Sequence, residues 1–409
     1  MSQTLPFPPA DPDWSPQTRL VHAGQVRSQF EETAEALYLT SGFTYQTAEE
    51  AEAAFVNEGS RFVYSRFRNP TVAMFEDRMA AYEGVARGFA TASGMAAVAG
   101  TVFGLLKAGD RLVAPRALFG SCYVIVKDLA PKFGIESVLI DGTDPEQWRE
   151  ALAKPTNLVF LESPSNPCME VVDLKLVCDL AHQAGAKVAV DNVFATPVLQ
   201  RPRDFGVDII IYSATKHIDG QGRTMGGIIL CDNDVAAILG PFLRHTGPAL
   251  APFNAWVMLK GLETLELRVN AQSASALEIA RFLEGHKAVG RVLYPGLESH
   301  PQHAVAMRQM KAGGNLVTFD VAAGADRSDT ALKARAFKLA NALKIAKISN
   351  NIGDSKTLIT HPATTTHHRV PEADRKQVGI YAGTLRLSVG LEATGDLIRD
   401  LQRGLDPLL

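Results

Sequence analysis

Residues 209–227 read IIIYSATKHIDGQGRTMGG. The three isoleucines at the start form an apolar, β-branched run, which is typical of a buried strand. Lys216 follows shortly after this run, so we expect its amine where a buried strand ends. Burial favours the neutral amine, which is the form that Schiff-base chemistry with an aldehyde requires. A lysine whose side chain snorkels to solvent is the alternative at this position.

Strand-like runs and helical spacing alternate around this stretch. The helical stretch 71–84 places Val72, Phe75 and Met79 on one face. All-apolar strands with helices between them indicate a mostly parallel sheet that is covered on both faces. The runs that predict strands are residues 87–91, 111–115, 136–140, 157–162, 187–191, 207–213 and 226–230. We therefore predict an α/β fold with a mostly parallel seven-stranded sheet flanked by helices.

The pattern changes after residue 252. A long helical stretch, with Gly261 as a possible break, precedes strand-like runs at residues 315–321, 344–350 and 384–390. This pattern predicts a smaller C-terminal α/β domain. We expect an N-terminal arm and intersubunit segment at residues 1–70, a large ligand-binding domain at 71–265 and the C-terminal domain at 266–409.

Composition narrows the class of protein. The chain has 409 residues, of which 46% are hydrophobic and 21% charged, which is ordinary for a globular protein. A net charge of −3 gives no reason to expect nucleic acid or an anionic membrane as a partner. The four cysteines form no C-x-x-C pair, so neither a zinc site nor a redox motif is indicated. We expect a cytoplasmic protein without a metal, because scattered cysteines fit a reducing compartment.

Polar residues follow several of the predicted strands, where open α/β sheets bind their ligands. Ser93 and Gly94 lie between a strand and a helix, where backbone N–H groups can bind an anion. A plain βα turn is the alternative for this pair. Glu162 and Asn166 follow another strand. Asp191 ends a third strand, where a carboxylate can also serve as a helix cap or an ion-pair partner.

Lys216 and Asp191 together suggest a cofactor. Lys216 lies 25 residues after Asp191, so both are expected at the same edge of the sheet. The lysine can bind an aldehyde, the carboxylate can pair with a pyridinium nitrogen, and nearby hydroxyl and backbone N–H groups can hold a phosphate. These are the demands of pyridoxal 5'-phosphate (PLP).

Two other chemistries could use the same stretch. SATK matches the S-x-x-K motif of acyl-serine enzymes, but that motif needs S-D-N and then K-T-G downstream. This chain has SNN at residues 349–351 and HTG at 245–247, in the wrong order. GQGRTMG resembles the dinucleotide fingerprint G-x-G-x-x-G, but it is one residue too long and does not lead from a strand into a helix.

Five motifs occur in the order of a known family. They are YSRFRNPT at residues 64–71, SGM at 93–95, ESPSNP at 162–167, DNVFATP at 191–197 and YSATKHIDG at 212–220. In this combination the sequence resembles the Cys/Met-metabolism family of PLP-dependent enzymes over nearly the whole chain. The resemblance implies a type I aminotransferase-like fold, with PLP bound by the large domain.

The resemblance also implies how the cofactor is held. Lys216 would bind the aldehyde and carry protons, and Asp191 would pair with the pyridinium nitrogen. The phosphate would be bound by the backbone of Gly94 and Met95 and by the hydroxyls of Ser213 and Thr215.

Further matched residues concern the substrate and a second subunit. Tyr64 and Arg66 would reach the phosphate of a neighbouring subunit's cofactor, and Tyr64 could also transfer protons. The resemblance therefore implies a homotetramer, built as a dimer of dimers with shared active sites. Arg386 would hold the substrate α-carboxylate, with Ser349 and Asn166 in the same pocket. A strand ion pair is the alternative for Arg386, although guanidinium suits a carboxylate well.

One position departs from the family pattern. Most relatives have a tyrosine where this chain has Phe119, which keeps the ring that stacks on the cofactor but lacks the hydroxyl. Lys216 or Tyr64 would then have to carry the proton transfers. Tyr123 lies four residues further on and is a possible substitute.

Within the family, ALFGSC, RHTGPALAPFNAW and VGLE resemble the homoserine-ester sulfhydrylases. The expected substrates are O-succinylhomoserine and sulfide, and the expected products are homocysteine and succinate, in methionine biosynthesis. A cystathionine γ-synthase, an O-acetylhomoserine sulfhydrylase and a β- or γ-lyase are alternatives. A cofactor-free scaffold that keeps the fold is an alternative of another class. The glycines after Lys216 suggest close backbone packing near a subunit contact.

Overall fold

The computed structural model describes residues 11, 13–56 and 61–409. Residues 1–10, 12 and 57–60 of the expected N-terminal arm at 1–70 lie outside the described residues. Within the described part, the chain forms two compact units. Unit 1 comprises the described residues of Met1–Leu105, together with Asp208–Asp219 and Arg223–Leu265. Unit 2 comprises Leu106–Val207, Gly220–Gly222 and Glu266–Leu409.

Twelve strands are found among the described residues. They are β1 (Arg87–Thr91), β2 (Arg111–Pro115), β3 (Glu136–Ile140), β4 (Leu158–Glu162), β5 (Lys187–Asp191), β6 (Ile209–Tyr212), β7 (Gly227–Cys231), β8 (Val289–Leu293), β9 (Leu316–Val321), β10 (Lys347–Ile348), β11 (Leu358–Thr360) and β12 (Thr384–Ser388). Strands β1 to β7 form a seven-stranded sheet, and β8 to β12 form a five-stranded sheet.

Fifteen α-helices are found in the same part of the chain. They are α1 (Pro16–His22), α2 (Ala48–Val56), α3 (Pro70–Glu83), α4 (Gly94–Leu105), α5 (Gly120–Val124), α6 (Pro145–Leu152), α7 (Leu174–Gln183), α8 (Thr196–Leu199), α9 (Asn233–Thr246), α10 (Pro252–Leu262), α11 (Leu265–Glu284), α12 (His303–Gln309), α13 (Asp329–Ala342), α14 (Glu372–Gln377) and α15 (Thr394–Leu405). A π-helix (Ile125–Leu129) continues α5. None of the described helices combines the length and apolar character needed to cross a bilayer.

In unit 1 the strands follow the order β1-β7-β6, and β7 runs antiparallel to both neighbours. Helix α3 begins where the Asn69 side chain accepts hydrogen bonds from the N–H groups of Thr71 and Val72, with Pro70 at the first helical position. It ends at Gly84, whose φ of 75° is left-handed. These signals explain why the predicted helix at 71–84 has nearly these bounds.

In unit 2 the strands of the large sheet follow the order β5-β4-β2-β3, and all three pairs are parallel. Every residue of β2 and β4 is buried, which explains why four of the five residues in each strand are apolar. The carboxyl ends of β4 and β5 lie side by side, because Glu162 and Asp191 are register partners. The α/β class and the mostly parallel seven-stranded sheet are therefore confirmed.

The five-stranded sheet belongs to unit 2 and has the order β10-β11-β12-β9-β8. Its core includes Phe319 of β9, Leu385 and Leu387 of β12, Ile279 of α11 and Leu401 of α15. The run at residues 344–350 forms only the two-residue strand β10, and its two residues are exposed. The proposed domain boundaries at residues 70 and 265 remain a prediction.

Candidate active site

Lys216 lies just beyond the end of β6, whose four residues are all buried. Its N–H donates to the Ser213 carbonyl at 3.1 Å, and the Asp219 N–H donates to the Ala214 carbonyl at 2.9 Å. These two bonds turn the chain immediately after the strand. Lys216 is half-buried in this turn.

Gly94 begins α4 beside this turn. The Ser93 hydroxyl accepts from the Ala96 N–H at 3.1 Å and so caps the helix. A Cβ atom on Gly94 would lie 2.6 Å from the Ser213 Cβ, so only glycine fits here. Met95 follows in the first helical turn. The start of a helix, a hydroxyl and a close backbone approach form the kind of cradle that binds phosphate.

Ser213 and Thr215 differ in what their hydroxyls do. The Ser213 hydroxyl has no hydrogen-bond partner among the described residues. Thr215 Oγ1 lies 3.1 Å from the Gly226 carbonyl and accepts from the Gly226 N–H at 3.0 Å. Thr215 therefore closes the loop that follows Lys216. We call residues 93–95, 213–216 and 226–227 the lysine corner.

The glycines after Lys216 have separate steric reasons. Gly220 and Gly222 have φ values of +69° and +66°, which L side chains rarely adopt. A side chain on Gly220 would overlap Arg268, and one on Gly222 would come within 2.6 Å of the Asp354 carboxylate. A side chain on Gly227 would overlap the Ser93 carbonyl. The expected close packing is therefore present within the chain, while the expected subunit contact remains a prediction.

Tyr64 and Arg66 lie in an exposed part of unit 1. Tyr64 is 42% exposed and contacts Phe67 edge-on, with ring centroids 5.8 Å apart. The Arg66 guanidinium lies 4.8 Å from the centroid of the Phe67 ring and donates to the Arg244 carbonyl. Their exposure leaves both side chains accessible to another molecule.

In unit 2, Glu162 connects two loops that carry predicted site residues. Glu162 is 2% exposed and lies at the end of β4. Its Oε2 accepts from the Phe119 N–H at 2.8 Å, and its Oε1 accepts from the Asn166 N–H at 2.9 Å. Burial first, and then the charge of Asp191, raise the pKa of Glu162 well above its usual value. The hydrogen bonds from Phe119 and Asn166 and the charge of Arg386 lower this pKa, but to a smaller extent than burial raises it.

Asp191 lies in the neighbouring strand, in register with Glu162. Its Oδ1 accepts from the Val193 N–H at 3.1 Å, which fixes the chain after β5. Cys122 is buried close to both carboxyl groups: burial, then Asp191, then Glu162 raise the pKa of its thiol. When two carboxyl groups lie side by side on adjacent strands, repulsion between the charges makes it unfavourable for both to be ionised.

Arg386 lies in the middle of β12 and is 2% exposed. Its Nη1 donates to Asn166 Oδ1 at 2.7 Å, and its Nη2 donates to the Asn350 carbonyl at 2.9 Å. Its Nε has no hydrogen-bond partner among the described residues. Burial lowers the pKa of Arg386 to about 10, so the group stays charged at neutral pH. An unpaired, buried N–H on a cation is suited to binding a carboxylate.

Ser349 lies next to Asn350, whose carbonyl binds Arg386. The Ser349 N–H donates to the Ile359 carbonyl at 3.0 Å, and its hydroxyl accepts from the Asn351 N–H at 3.3 Å. The structure thus places Ser349, Asn166 and Arg386 in one neighbourhood. We call Glu162, Asn166, Asp191 and Arg386 the buried charge cluster.

Tyr123 does not replace the hydroxyl that Phe119 lacks. Its hydroxyl donates to Asp374 Oδ2 at 3.0 Å and accepts from Lys127 Nζ at 2.7 Å. Both bonds hold it to a peripheral ion pair, so it is committed to a structural contact.

Sequence reasoning missed two residues of this region. Glu162 ends a predicted strand, and the sequence assigns it no role; the acidic residue that closes the run LVFLE is the available signal. His367 is 3% exposed, and its pKa is lowered to about 4, first by burial and then by the charge of Arg386. His367 is therefore neutral beside that guanidinium, and its sequence context gave no signal of this.

The predicted residues thus form two groups, one in each unit. Lys216, Gly94, Met95, Ser213 and Thr215 belong to unit 1, as do the exposed Tyr64 and Arg66. Phe119, Asn166, Asp191, Ser349 and Arg386 belong to unit 2.

Comparison with known proteins identifies the family. The family model described as Cys/Met metabolism PLP-dependent enzyme matches residues 17–406. The chain belongs to this family. It is therefore an enzyme that depends on PLP.

Individual relatives are similar over nearly their full length. An O-succinylhomoserine sulfhydrylase of Mycobacterium tuberculosis is 52% identical over 97% of this chain and 98% of its own. One of Pseudomonas aeruginosa is 45% identical over 96% of this chain and 95% of its own. A Campylobacter jejuni structure assigned as an O-acetylhomoserine (thiol)-lyase carries N'-pyridoxyl-lysine-5'-monophosphate. It matches with a TM-score of 0.90 at 28% identity, covering 96% of this chain and all of that one.

The two groups of residues fit PLP chemically. The lysine corner combines an amine, the Ser213 hydroxyl and a helix start whose first residue leaves no room for a side chain. These features suit an aldehyde that carries a phosphate. In unit 2, Asp191 lies in register with Glu162, whose pKa is raised by burial and by the charge of Asp191. A carboxylate at the Asp191 position suits a pyridinium nitrogen.

Proposed function

We propose that this enzyme catalyses γ-replacement on O-succinyl-L-homoserine with hydrogen sulfide, giving L-homocysteine and succinate in methionine biosynthesis. The observation that carries the proposal is the likeness, at 52% and 45% identity, to two proteins named O-succinylhomoserine sulfhydrylase. Both likenesses span more than nine-tenths of either chain.

We assign the cofactor to named side chains. Lys216 would hold the aldehyde, and Asp191 would keep the ring nitrogen protonated. The Phe119 ring would stack on the pyridine. The phosphate would be held by Gly94, Met95, Ser213 and Thr215, with Tyr64 and Arg66 of a neighbouring subunit. The Thr215 hydroxyl would have to bind both the phosphate and Gly226, with which it is hydrogen-bonded.

Arg386 would bind the substrate α-carboxylate. Its Nε is unpaired within the described residues, and its two Nη atoms are held by Asn166 and Asn350. The guanidinium is thus fixed in orientation before the substrate arrives, which lowers the entropic cost of binding. Asn166 and Ser349 would line the same subsite.

Proton transfer is left to the chain's other residues because Phe119 has no hydroxyl. When bound, PLP supplies an electron sink that acidifies protons near the substrate amino group. Lys216 Nζ would remove the α-proton and later return protons, with Tyr64 as the second candidate carrier. The substrate then loses succinate from its γ-carbon and gains hydrosulfide at the same carbon.

The proposal includes assembly and location. We propose a homotetramer, a dimer of dimers with shared active sites, that works in the cytoplasm. The exposure of Tyr64 and Arg66 supports a role for them outside their own unit.

The test is a product assay with purified enzyme. O-Succinylhomoserine with sulfide should yield homocysteine and succinate in equal amounts, measured by mass spectrometry. Parallel reactions use cysteine in place of sulfide, O-acetylhomoserine in place of the succinyl ester, and no sulfur nucleophile at all. Faster turnover with cysteine or with the acetyl ester, or release of a 2-oxo acid without nucleophile, would replace the proposal by the corresponding sister activity.

A further inference from the structure

Glu162 is buried at the centre of the unit 2 group, and the proposed mechanism assigns it no task. One oxygen accepts from the Phe119 N–H at 2.8 Å and the other from the Asn166 N–H at 2.9 Å. Phe119 immediately precedes α5, and Asn166 lies in the loop after β4. A single side chain therefore joins two loops that are 47 residues apart in sequence, between positions 119 and 166.

Each joined loop carries a residue with an assigned role. The Phe119 ring would stack on the cofactor, and the Asn166 side chain accepts from Arg386 Nη1 at 2.7 Å. Because backbone N–H groups in a buried site need acceptors, loss of either bond would release its loop. The position of the ring and the orientation of the guanidinium thus depend on the same carboxyl group.

The neighbouring strand adds a charge constraint. Glu162 and Asp191 are register partners in parallel strands, which lie about 4.8 Å apart in sheets. The charged and titratable groups that face Glu162 are Asp191, Arg386 and the Cys122 thiol. Glu162 is buried and Asp191 is half-buried, so two carboxylates this close would repel each other, and one proton shared by the pair removes that cost.

We propose that Glu162 is a positioning residue of the proposed active site, whose carboxyl group orients the Phe119 ring and the Asn166–Arg386 pair while leaving the negative charge of the carboxyl pair on Asp191. A protonated carboxyl group still accepts hydrogen bonds at both oxygens, so both loops stay fixed in this state. The inference rests on the proposed function.

The variant Glu162→Gln separates the positioning of the two loops from the charge of the carboxyl group. Glutamine is neutral like the protonated glutamate, but its amide nitrogen cannot accept a bond from a backbone N–H. One of the two loops is therefore released, and kcat/KM for O-succinylhomoserine should fall about ten- to a hundred-fold. The matched control is Glu170→Gln, because Glu170 is a half-buried carboxyl of the same loop, and burial raises its pKa to about 7.

The visible circular dichroism of the bound cofactor is measured and divided by its absorbance. This ratio reports how the Phe119 ring is oriented, and a merely structural role of Glu162 would leave it unchanged. E162Q should lose signal because the Phe119 ring is less well oriented, and E170Q should match the wild type. A rise in KM with an unchanged dichroism signal would show that the Asn166 loop is the one released. Equal dichroism, KM and kcat in E162Q and the wild type would overturn the proposal.

The stability of the apoprotein tests where the proton lies. A raised pKa in the folded state contributes stability that is present below the usual value of 4.5 and is lost as the pH rises through the folded value. E162Q has no such proton, so the Tm difference between the wild type and E162Q should shift in favour of E162Q from about pH 5 to about pH 8. A difference that is constant with pH would contradict the assignment of the proton to Glu162.

Should E162Q fail to fold, Glu162→Asp takes its place, because it keeps a carboxyl group but is too short to reach both N–H groups. The same losses in dichroism and kcat/KM are expected, and wild-type values would overturn the proposal. Failure of the proposed function is distinguishable from these outcomes, because it is seen in the product assay of the wild-type enzyme, whereas the dichroism comparison of E162Q with the wild type requires no substrate.

Discussion

In the lysine corner, the backbones of Gly94 and Ser213 approach so closely that no side chain fits between them. In the buried charge cluster, Glu162 accepts from the N–H groups of Phe119 and Asn166, and Arg386 donates to the Asn166 side chain, at distances of 2.7–2.9 Å. The first region depends on close packing of the backbone, which only glycine permits, and the second depends on hydrogen bonds. A substitution should therefore act through steric overlap in the lysine corner and through an orphaned polar group in the buried charge cluster.

The largest effect is expected when the amine of the lysine corner is removed. Lys216→Ala should reduce kcat by about 10³-fold or more, because the group that binds the aldehyde and moves protons is lost. Steady-state kinetics and the absorbance of the bound cofactor check this. Full activity in this variant would remove Lys216 from the mechanism.

The next effect concerns the buried charge cluster. Arg386→Lys replaces a fork held by Asn166 and Asn350 with a point charge. We expect kcat/KM for the homoserine ester to fall about ten- to a hundred-fold, mainly through KM. The control is Arg335→Lys, whose guanidinium binds the carbonyls of Ala322 and Leu408 in a structural contact. An equal change in both variants would argue against a substrate-binding role.

A smaller effect is expected from crowding the lysine corner. In Gly94→Ala the new Cβ would lie 2.6 Å from the Ser213 Cβ, which should destabilise the fold by about 1–3 kcal/mol and weaken PLP binding. Thermal unfolding of the apoprotein and cofactor titration measure the two effects. The matched control is Gly395→Ala, at the exposed start of α15, where the nearest atom is the flexible Arg399 Nη1 at 3.5 Å. Equal behaviour of the two variants would show that the close approach is unimportant.

The smallest effect is expected at the position that departs from the family pattern. Phe119→Tyr adds a hydroxyl but keeps the ring and the N–H that donates to Glu162. We expect kcat to change by less than about threefold, because Lys216 carries the protons. A much larger gain in kcat, measured over a range of pH, would show that the missing hydroxyl limits the natural enzyme.

The two regions also differ in how far the sequence predicted them. Residues 209–212 and the lysine after them were recognisable because a strand buried on both faces is apolar throughout. The helix start at Gly94 was recognisable for a similar reason, because it depends on residues that are neighbours in the sequence. The antiparallel direction of β7 was not predictable, because composition does not record the direction in which a strand runs.

The buried charge cluster was only partly predictable. Asp191 and Arg386 were identified from motifs, but the bonds from Glu162 to residues 119 and 166 depend on how distant segments meet in the fold. The unpaired Nε of Arg386 is likewise a property of its surroundings. The strand expected at residues 344–350 was too long, since only Lys347 and Ile348 find pairing partners.

The most direct test of the account is to locate the cofactor on the chain. Borohydride reduction fixes PLP covalently to the lysine that holds it, and peptide mapping by mass spectrometry then identifies that lysine. We expect the pyridoxyl group on Lys216, at one per chain, and a reduced amount in Gly94→Ala at limiting cofactor. A label on another lysine, or none on Lys216, would contradict the assignment of the lysine corner.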